Sequence, residues 1–292
     1  MSSTSPLSDT VIADDEAGTD AAVAVVAPRT PTSERVMRVA VPIATVIVAV
    51  LLWEWLVVAR HIPKYIVPSP VDVMVALGTD WPILLPALWV TLQITFSALF
   101  IALLGGVLLA VILVQSRWIE LAVYPLAVIL QVTPIIAIAP LLLIYAPNTQ
   151  VALLLCAFLV AFFPILSNMV QGLKSVDHNL LNLFELYGAS RWQTLRYLKL
   201  PAAQPYFMAG LRIGGGLALI AAVVAEFAAG SSGAGSGLAF RLLEAQYRLN
   251  IPRLFAALIL LSLTGVAIFG VTSLISWLAL RRWHESAVRR EN

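Results

Sequence analysis

Charged side chains are scarce in this chain of 292 residues. Asp, Glu, Lys and Arg make up only 12% of it, whereas 60% of the residues are hydrophobic. A soluble domain carries about 25% charged residues, so the excess of apolar surface predicts a protein embedded in a membrane. The net charge of +2 is too small for the basic surface that a nucleic-acid-binding protein presents.

Residues that do chemistry are nearly absent as well. The single cysteine, Cys156, lies in an apolar run and has no intrachain disulfide partner, which favours a packing role. The three histidines, His61, His178 and His284, do not have metal-ligand spacing. The sequence contains no G-x-x-x-x-G-K-[ST], H-E-x-x-H or G-x-S-x-G motif. We therefore predict a protein that is not an enzyme, has no catalytic residues, and binds neither metal nor cofactor itself.

The first 34 residues differ in composition from the rest. They are rich in Ser, Thr, Ala and Asp without amphipathic periodicity, which predicts a disordered tail. They lack the basic start and short apolar core of a cleavable signal peptide. Residues 35–292 are predicted to form one membrane domain.

The membrane domain contains six apolar runs of the length that crosses a bilayer, about 20 residues. We predict an all-α, polytopic protein with these six transmembrane helices, at about 39–59, 85–114, 118–145, 151–170, 206–229 and 254–280. An even number places both termini on one side. Twelve of the 18 Lys and Arg residues fall on that side, together with the loop between the fourth and fifth helices. The positive-inside rule therefore predicts that both termini are cytoplasmic.

Several spans contain residues that a plain membrane anchor does not need. The third carries Pro125, Pro134 and Pro140, which remove backbone hydrogen bonds and predict a kinked helix. Polar residues at such depth turn away from lipid, so they either tie helices together or line a pathway. Glu226, near the end of the fifth span, either satisfies helix ends or contacts a solute. The pathway or gate candidates are Gln131, Thr133, Asn168 and Glu226.

The loop between the fourth and fifth spans, residues 172–201, is unusually basic, and we call it the basic loop. It has apolar residues at helical spacing up to Tyr187, then Gly188, then a Ser190–Gln193 pair of the capping-box form. We predict two short helices meeting at Gly188, the second ended by Pro201. Such a surface either fills a groove on a partner or lies among lipid headgroups.

The spacing of Gly188, Leu198 and Leu200-Pro201 resembles the cytoplasmic loop motif EAA-x3-G-x9-I-x-LP of binding-protein-dependent ABC importer permeases. The segments QVTPIIAIAPLLLIY, GASRWQTLRYLKLPAAQPYFMAGLRI and VVAEFAAGSSGAGSGLAF resemble the nitrate/sulfonate/taurine branch, within a similarity that covers about 51–282. Two departures stand out. Asn182, Leu183 and Phe184 occupy the Glu-Ala-Ala positions, and YAPNTQ lacks the usual Phe-Gly after the third span.

This resemblance implies a type I importer fold with a cytoplasmic coupling helix between the fourth and fifth spans. It implies a multi-pass permease subunit in the bacterial inner membrane, working with a second copy of itself, two ABC ATPase subunits and an extracytoplasmic substrate-binding protein. ATP and Mg would then be bound by the ATPase partner. The residues implied in coupling to the ATPase are Gly188, Ala189, Ser190, Arg191, Trp192, Leu200 and Pro201.

The substrate stays open at this stage. Members of the resembled family carry small anions such as nitrate, bicarbonate, taurine and other sulfonates, or pyrimidine and flavin precursors, and QVTPIIAIAPLL favours the precursors. The alternative function is a gradient-driven secondary transporter, which requires ion-coupling carboxylates at the midplane. The spans contain Glu54 and Glu226, both near helix ends.

Overall fold

The computed structural model describes residues 32–230 and 236–281, and the elements in these ranges are helices. The predicted tail lies outside the described residues except for 32–34, which begin the first helix. The helices are α1 Thr32–Ala59, α2 Pro70–Thr79, α3 Trp81–Gln115, α4 Arg117–Val132, α5 Ile135–Tyr145, α6 Thr149–Lys174, α7 His178–Leu186, α8 Arg191–Thr194, α9 Leu200–Ala229, α10 Leu238–Tyr247 and α11 Ile251–Leu280, with a π-helical turn at Leu195–Lys199.

The chain divides into two compact units, one ending at Ala49 and the other beginning at Val50. In the first, the side chains of Ala40–Ala49 are exposed along α1. In the second, α6 and α9 form the centre, because small residues let them approach closely. A Cβ added at Gly214 would lie 3.0 Å from Ile165, and one at Gly210 would lie 3.1 Å from Asn168. These two glycines of α9 therefore allow its close approach to α6.

The third span is broken rather than kinked. Helices α4 and α5 meet at an angle of 99°, and the backbone is extended at Thr133 and Pro134. Pro134 has no N–H with which to continue the helix, whereas Pro125 and Pro140 lie inside regular helices. The prediction of one kinked helix is therefore corrected to two half-helices.

The two half-helices together still cross the bundle. On α4, Ala127 packs with Leu113 and Leu173 at the end of the bundle near the basic loop. On α5, Ala139 packs with Ile94 and Leu153 at the opposite end, which we call the distal side. With this pair counted as one span, the five long apolar helices of residues 32–230 and 236–281 become six crossings, which agrees with the predicted number.

The fifth span differs from the prediction at its start. Pro201 does not end the second helix of the basic loop, because the chain is helical without a break from Arg191 to Ala229. Between α8 and α9 the N–H of Leu200 donates to the carbonyl of Leu195, five residues back, which defines the π turn. A proline inside an α-helix normally clashes with the carbonyl four residues before it. The wider π turn changes the backbone hydrogen-bonding register just before Pro201, so the helix can continue through this proline.

The distal side is closed by α2, α10 and the first turns of α3 and α11, which we call the distal cap. Its apolar core includes Val73, Leu84 and Leu238. Arg253 donates two hydrogen bonds to Asp80, of 2.7 and 2.6 Å. On α10, Glu244 accepts from Arg241 at 2.8 Å, and this hydrogen bond lowers the pKa of Glu244. The cap is therefore held by both apolar and ionic contacts.

Replacing Arg253 with alanine should lower the free energy of unfolding by about 2–3 kcal/mol, because Asp80 would keep a charge with no partner. The Asp80 side chain is only 11% exposed. The matched control is Arg248→Ala. The Arg248 side chain is 68% exposed in its pair with Glu244, so its removal should lower the free energy of unfolding by no more than about 0.5 kcal/mol. Thermal unfolding in nanodiscs measures both, and equal midpoints for the two variants would contradict the assignment.

Candidate functional site

The basic loop has the predicted corner at Gly188. Helix α7 begins at the Asp177 side chain, which accepts from the N–H of Asn179 at 2.9 Å. It ends with Gly188 at φ +68°, where the N–H of Gly188 donates to Glu185 and that of Ala189 to Phe184, both at 2.9 Å. This pair of hydrogen bonds is the Schellman motif, which needs a left-handed residue at the glycine position.

Helix α8 begins as the sequence predicts. The N–H of Gln193 donates to the Ser190 hydroxyl at 3.3 Å, and the Gln193 side chain accepts from the N–H of Ser190 at 2.7 Å. This capping box satisfies two backbone donors at once. Two adjacent motifs, one ending α7 and one starting α8, thus fix the angle of the corner.

Apolar side chains of the basic loop are exposed on the surface of the chain. Leu186 is 85% exposed and Tyr187 is 84% exposed, and Trp192 and Tyr197 are also exposed. By contrast, Leu195 is buried in the cluster that contains Leu173 and Ala203. The loop is therefore anchored to the bundle by buried residues, Leu173, Val176 and Leu195, while it presents large apolar groups outward.

The predicted coupling residues fall into two groups, which line different grooves of the basic loop. A groove of about 460 Å³ is lined by Leu183, Phe184, Tyr187, Gly188, Ala189, Gln193 and Tyr197. A second, of about 350 Å³, is lined by Ala189 and Arg191 with Glu185 and Lys199. Leu200 and Pro201 line a third, next to Phe207. Gly188, Ala189 and Arg191 are thus brought together, whereas Leu200 and Pro201 lie apart from them.

The four pathway candidates do not converge on one site. Gln131 and Thr133 are exposed beside the break in the third span, and the Thr133 hydroxyl donates to the carbonyl of Ile129 at 2.7 Å. The Asn168 amide donates to the carbonyl of Pro164 at 2.7 Å within α6. Glu226 lies at the distal end of α9. Gln131 and Thr133 thus lie exposed at the break, whereas Asn168 lies at the contact between α6 and α9.

Glu226 is buried, with 2% of its surface exposed, and both of its oxygens are used. One accepts from the Thr91 hydroxyl at 2.7 Å and the other from the N–H of Ala239 at 2.9 Å. The N–H of Leu238 donates to the same Thr91 hydroxyl at 2.8 Å. These are donors at the start of α10, so Glu226 and Thr91 cap that helix. Of the two roles that the sequence leaves open, the contacts of Glu226 are those of helix capping.

No local pattern in the sequence pairs Thr91 with Glu226, a residue 135 positions away. The sequence marks Thr91 only as a polar residue in the apolar run of α3, together with Gln93 and Thr95. Within residues 32–230 and 236–281, no three His, Cys, Asp or Glu side chains are grouped to hold a metal ion.

Comparison with known proteins gives one matching family. Residues 102–284 match the model of the binding-protein-dependent transport system inner membrane component. The chain is 32% identical to the riboflavin transport system permease protein of Chloroflexus aurantiacus, over 83% of this chain and 89% of that protein. It is 33% identical to the formylaminopyrimidine transport permease protein of Halalkalibacterium halodurans, over 76% and 88%. Further relatives are named for aliphatic sulfonates, nitrate and taurine.

A solved structure shares the fold. The inward-facing MetNI methionine ABC transporter aligns with a TM-score of 0.58 at 20% identity, over 70% of this chain and 99% of that one. The predicted importer-permease fold is confirmed, as is the resemblance to permeases of the sulfonate, nitrate and taurine type.

Proposed function

Because the chain belongs to the family of binding-protein-dependent transport system inner membrane components, we propose that its basic loop docks onto a separate ABC ATPase subunit that drives solute import. The chain is the membrane-spanning permease subunit of such an importer. ATP and Mg²⁺ would be bound by the ATPase, since the permease sequence has no phosphate-binding loop motif.

The exposed apolar surface of the basic loop is the observation that carries this proposal. Leu186, Tyr187 and Trp192 are exposed, on a corner whose angle is fixed by the Schellman motif and the capping box. Aromatic residues held rigidly on a surface are typical anchors of protein–protein interfaces. A helix lying among headgroups would need no fixed corner, so the geometry favours a partner groove over the lipid interpretation.

We propose that the basic-loop side faces the cytoplasm of a bacterial cell. Arg117, Lys174, Arg191, Arg196 and Lys199 lie on this side, in or beside the basic loop, as the positive-inside rule requires for cytoplasmic segments. The distal cap then faces the extracytoplasmic space, where a substrate-binding protein would deliver the solute. With six crossings, both termini are on the cytoplasmic side.

A second copy of the chain is the proposed partner within the membrane. Gln93, Ser97, Gln131 and Thr133 are exposed on α3 and at the break between α4 and α5. Polar side chains are costly in contact with lipid and normally face another helix or water. A second permease would cover them and place them along the pathway between the two copies. Two ATPase subunits, one for each basic loop, complete the assembly.

The relatives support a nitrogen heterocycle as the solute. The permeases named for riboflavin and formylaminopyrimidine are 32% and 33% identical to this chain, whereas those named for sulfonates, nitrate and taurine are 27–29% identical. We propose a pyrimidine or flavin precursor as the transported class. A gradient-driven transporter finds no support among the relatives, which are named as permeases of ABC transporters and transport systems.

The test is uptake by the reconstituted complex. Liposomes that hold the permease, its ATPase and its binding protein should take up riboflavin or formylaminopyrimidine only with ATP inside. An ATPase variant lacking its catalytic glutamate should stop uptake, and taurine and nitrate serve as comparison solutes. Uptake that follows a proton or sodium gradient without ATP would contradict the importer assignment.

A further inference from the structure

The basic-loop end of α4 is joined to the end of α6 by an ion pair. The Lys174 ammonium lies 2.5 and 2.6 Å from the two oxygens of Glu120. Glu120 is in the first turn of α4 and Lys174 is the last residue of α6. The side chains are 24% and 47% exposed, respectively. The pair therefore connects the first half of the broken span to the start of the basic loop.

Apart from this ion pair, α4 is held by apolar packing and by contacts of one tyrosine. Ala127 is its one fully buried residue among the described side chains. The Tyr124 hydroxyl lies 3.3 Å from that of Ser167, and the Tyr124 ring lies 6.0 Å from the ring of Phe163. Ser167 and Phe163 are both on α6. The polar and ring contacts of α4 are thus with α6, whereas its apolar packing is also with Ala110 and Leu113 of α3.

The connection from α6 to the basic loop is short and braced. After Lys174, the Ser175 hydroxyl donates to the carbonyl of Gly172 at 2.9 Å, and Val176 is buried. Asp177 then caps α7. Since no flexible linker separates α6 from α7, a displacement of the basic loop passes directly to the end of α6.

The far end of α4 is the break at Thr133 and Pro134. The Thr133 hydroxyl bonds within its own helix, and α5 starts without a side-chain cap. Beyond the break, α5 packs in the distal cluster with Ile94, Leu153 and Ala222. The two halves of the third span are therefore attached to opposite ends of the bundle. Where they meet, the Thr133 hydroxyl makes no hydrogen bond to another helix.

We propose that Glu120 and Lys174 are positioning residues of the transport cycle, which pull α4 with the basic loop so that the third span bends at Thr133–Pro134. This inference rests on the proposed function and adds the route by which motion reaches the pathway. Partly exposed ion pairs contribute little to stability, so removal of this one should impair transmission while leaving the bundle folded.

A cysteine reporter at the break tests the route without knowledge of the substrate. In a Cys156→Ala background, Ile136→Cys places one exposed thiol beside the break. Its maleimide labelling rate is measured in the permease–ATPase complex, with and without ATP and vanadate. We expect the nucleotide-dependent change in rate to fall about fivefold in Glu120→Lys and in Lys174→Glu, the loss expected for one partly exposed pair.

The charge-swapped double variant is the control that separates pairing from packing. Glu120→Lys combined with Lys174→Glu restores the attraction and should recover the response. If the single variants respond like wild type, or the double variant is no better than the singles, the proposal is wrong. Should the singles fail to assemble, Glu120→Gln replaces them, and a full response by that variant overturns the proposal as well.

A second reporter distinguishes failure of the ion-pair proposal from failure of the proposed docking onto an ATPase. Leu186→Cys, on the exposed surface of the basic loop, should be protected by the ATPase in every variant. Absence of protection in wild type would count against the docking proposal itself. Protection at residue 186 with an unchanged response at residue 136 in the single variants would count against the ion-pair route alone.

Discussion

Replacing Gly188 with valine is expected to reduce ATP-dependent uptake at least about tenfold while the helical bundle stays folded. Gly188 has φ +68°, and no heavy atom lies within 4 Å of the position that a Cβ would take. The cost is therefore one of backbone conformation, because a β-branched residue is strongly disfavoured in the left-handed region. A penalty of about 1.4 kcal/mol at the docking interface corresponds to a tenfold change in binding.

The strain would be relieved by rotating the corner. That movement breaks the hydrogen bonds from Gly188 to Glu185 and from Ala189 to Phe184, so Tyr187 and Trp192 would no longer face one partner groove together. Uptake and ATPase co-purification measure the effect, with thermal unfolding as the check on folding.

Two substitutions serve as controls for Gly188. Gly188→Asn should keep most of the uptake, since asparagine tolerates the left-handed conformation. Gly78→Val introduces the same side chain into α2, where the Cβ also meets nothing within 4 Å, and should leave uptake close to wild type. Normal uptake by Gly188→Val with an intact complex would contradict the coupling assignment.

Replacing Glu226 with alanine is expected to destabilise the distal cap by about 3–5 kcal/mol. The change removes the acceptors of the Thr91 hydroxyl and the Ala239 N–H, and it leaves a cavity where a buried side chain was. Helix α10 should then detach at its start. Hydrogen exchange at the amides of Leu238 and Ala239 should accelerate, and the unfolding midpoint should fall.

Conservative changes at the same place give graded effects. Glu226→Gln keeps one acceptor oxygen and should cost about 1–2 kcal/mol. Gly237→Ala should be severe despite its small size, because the added Cβ would overlap the Glu226 carboxyl group, whereas Gly270→Ala meets no neighbour within 4 Å. Wild-type protection of the α10 amides in Glu226→Ala would show that the cap is held by other contacts.

The parts of the fold that sequence reasoning predicted correctly are set by local interactions. Six apolar runs of sufficient length define the crossings. Gly188, Ser190 and Gln193 define the corner of the basic loop through hydrogen bonds that reach no more than five residues. Each of these signals can be detected in a short stretch of chain.

Other features depend on register or on distant partners. Pro201 is predicted to end a helix, but a π turn at Leu195–Lys199 precedes it and the helix continues. Pro134 breaks the third span whereas Pro125 and Pro140 do not, although all three look alike in the sequence. The pairs Glu120–Lys174, Thr91–Glu226 and Asp80–Arg253 join residues 54, 135 and 173 positions apart, and no local pattern announces them.

The candidate site was predictable in part, because some of its features are also set by local sequence. Exposed apolar and basic residues between two spans identify the basic loop without a structure. The pathway candidates were chosen only because polar residues are rare in spans, and this criterion cannot separate residues at the break, such as Gln131, from one that caps a helix, such as Glu226.

The π turn also fixes a direction. Successive residues of an α-helix are rotated by about 100° around its axis, and the π turn accommodates one residue more than a regular helical turn would hold. That residue sets the rotation of α8 around the helix axis relative to the buried faces of α9. It therefore sets the direction in which Trp192 points. A chain shortened by one residue between Leu195 and Lys199 would rotate Trp192, with the rest of the exposed surface of the basic loop, by about 100° relative to α9.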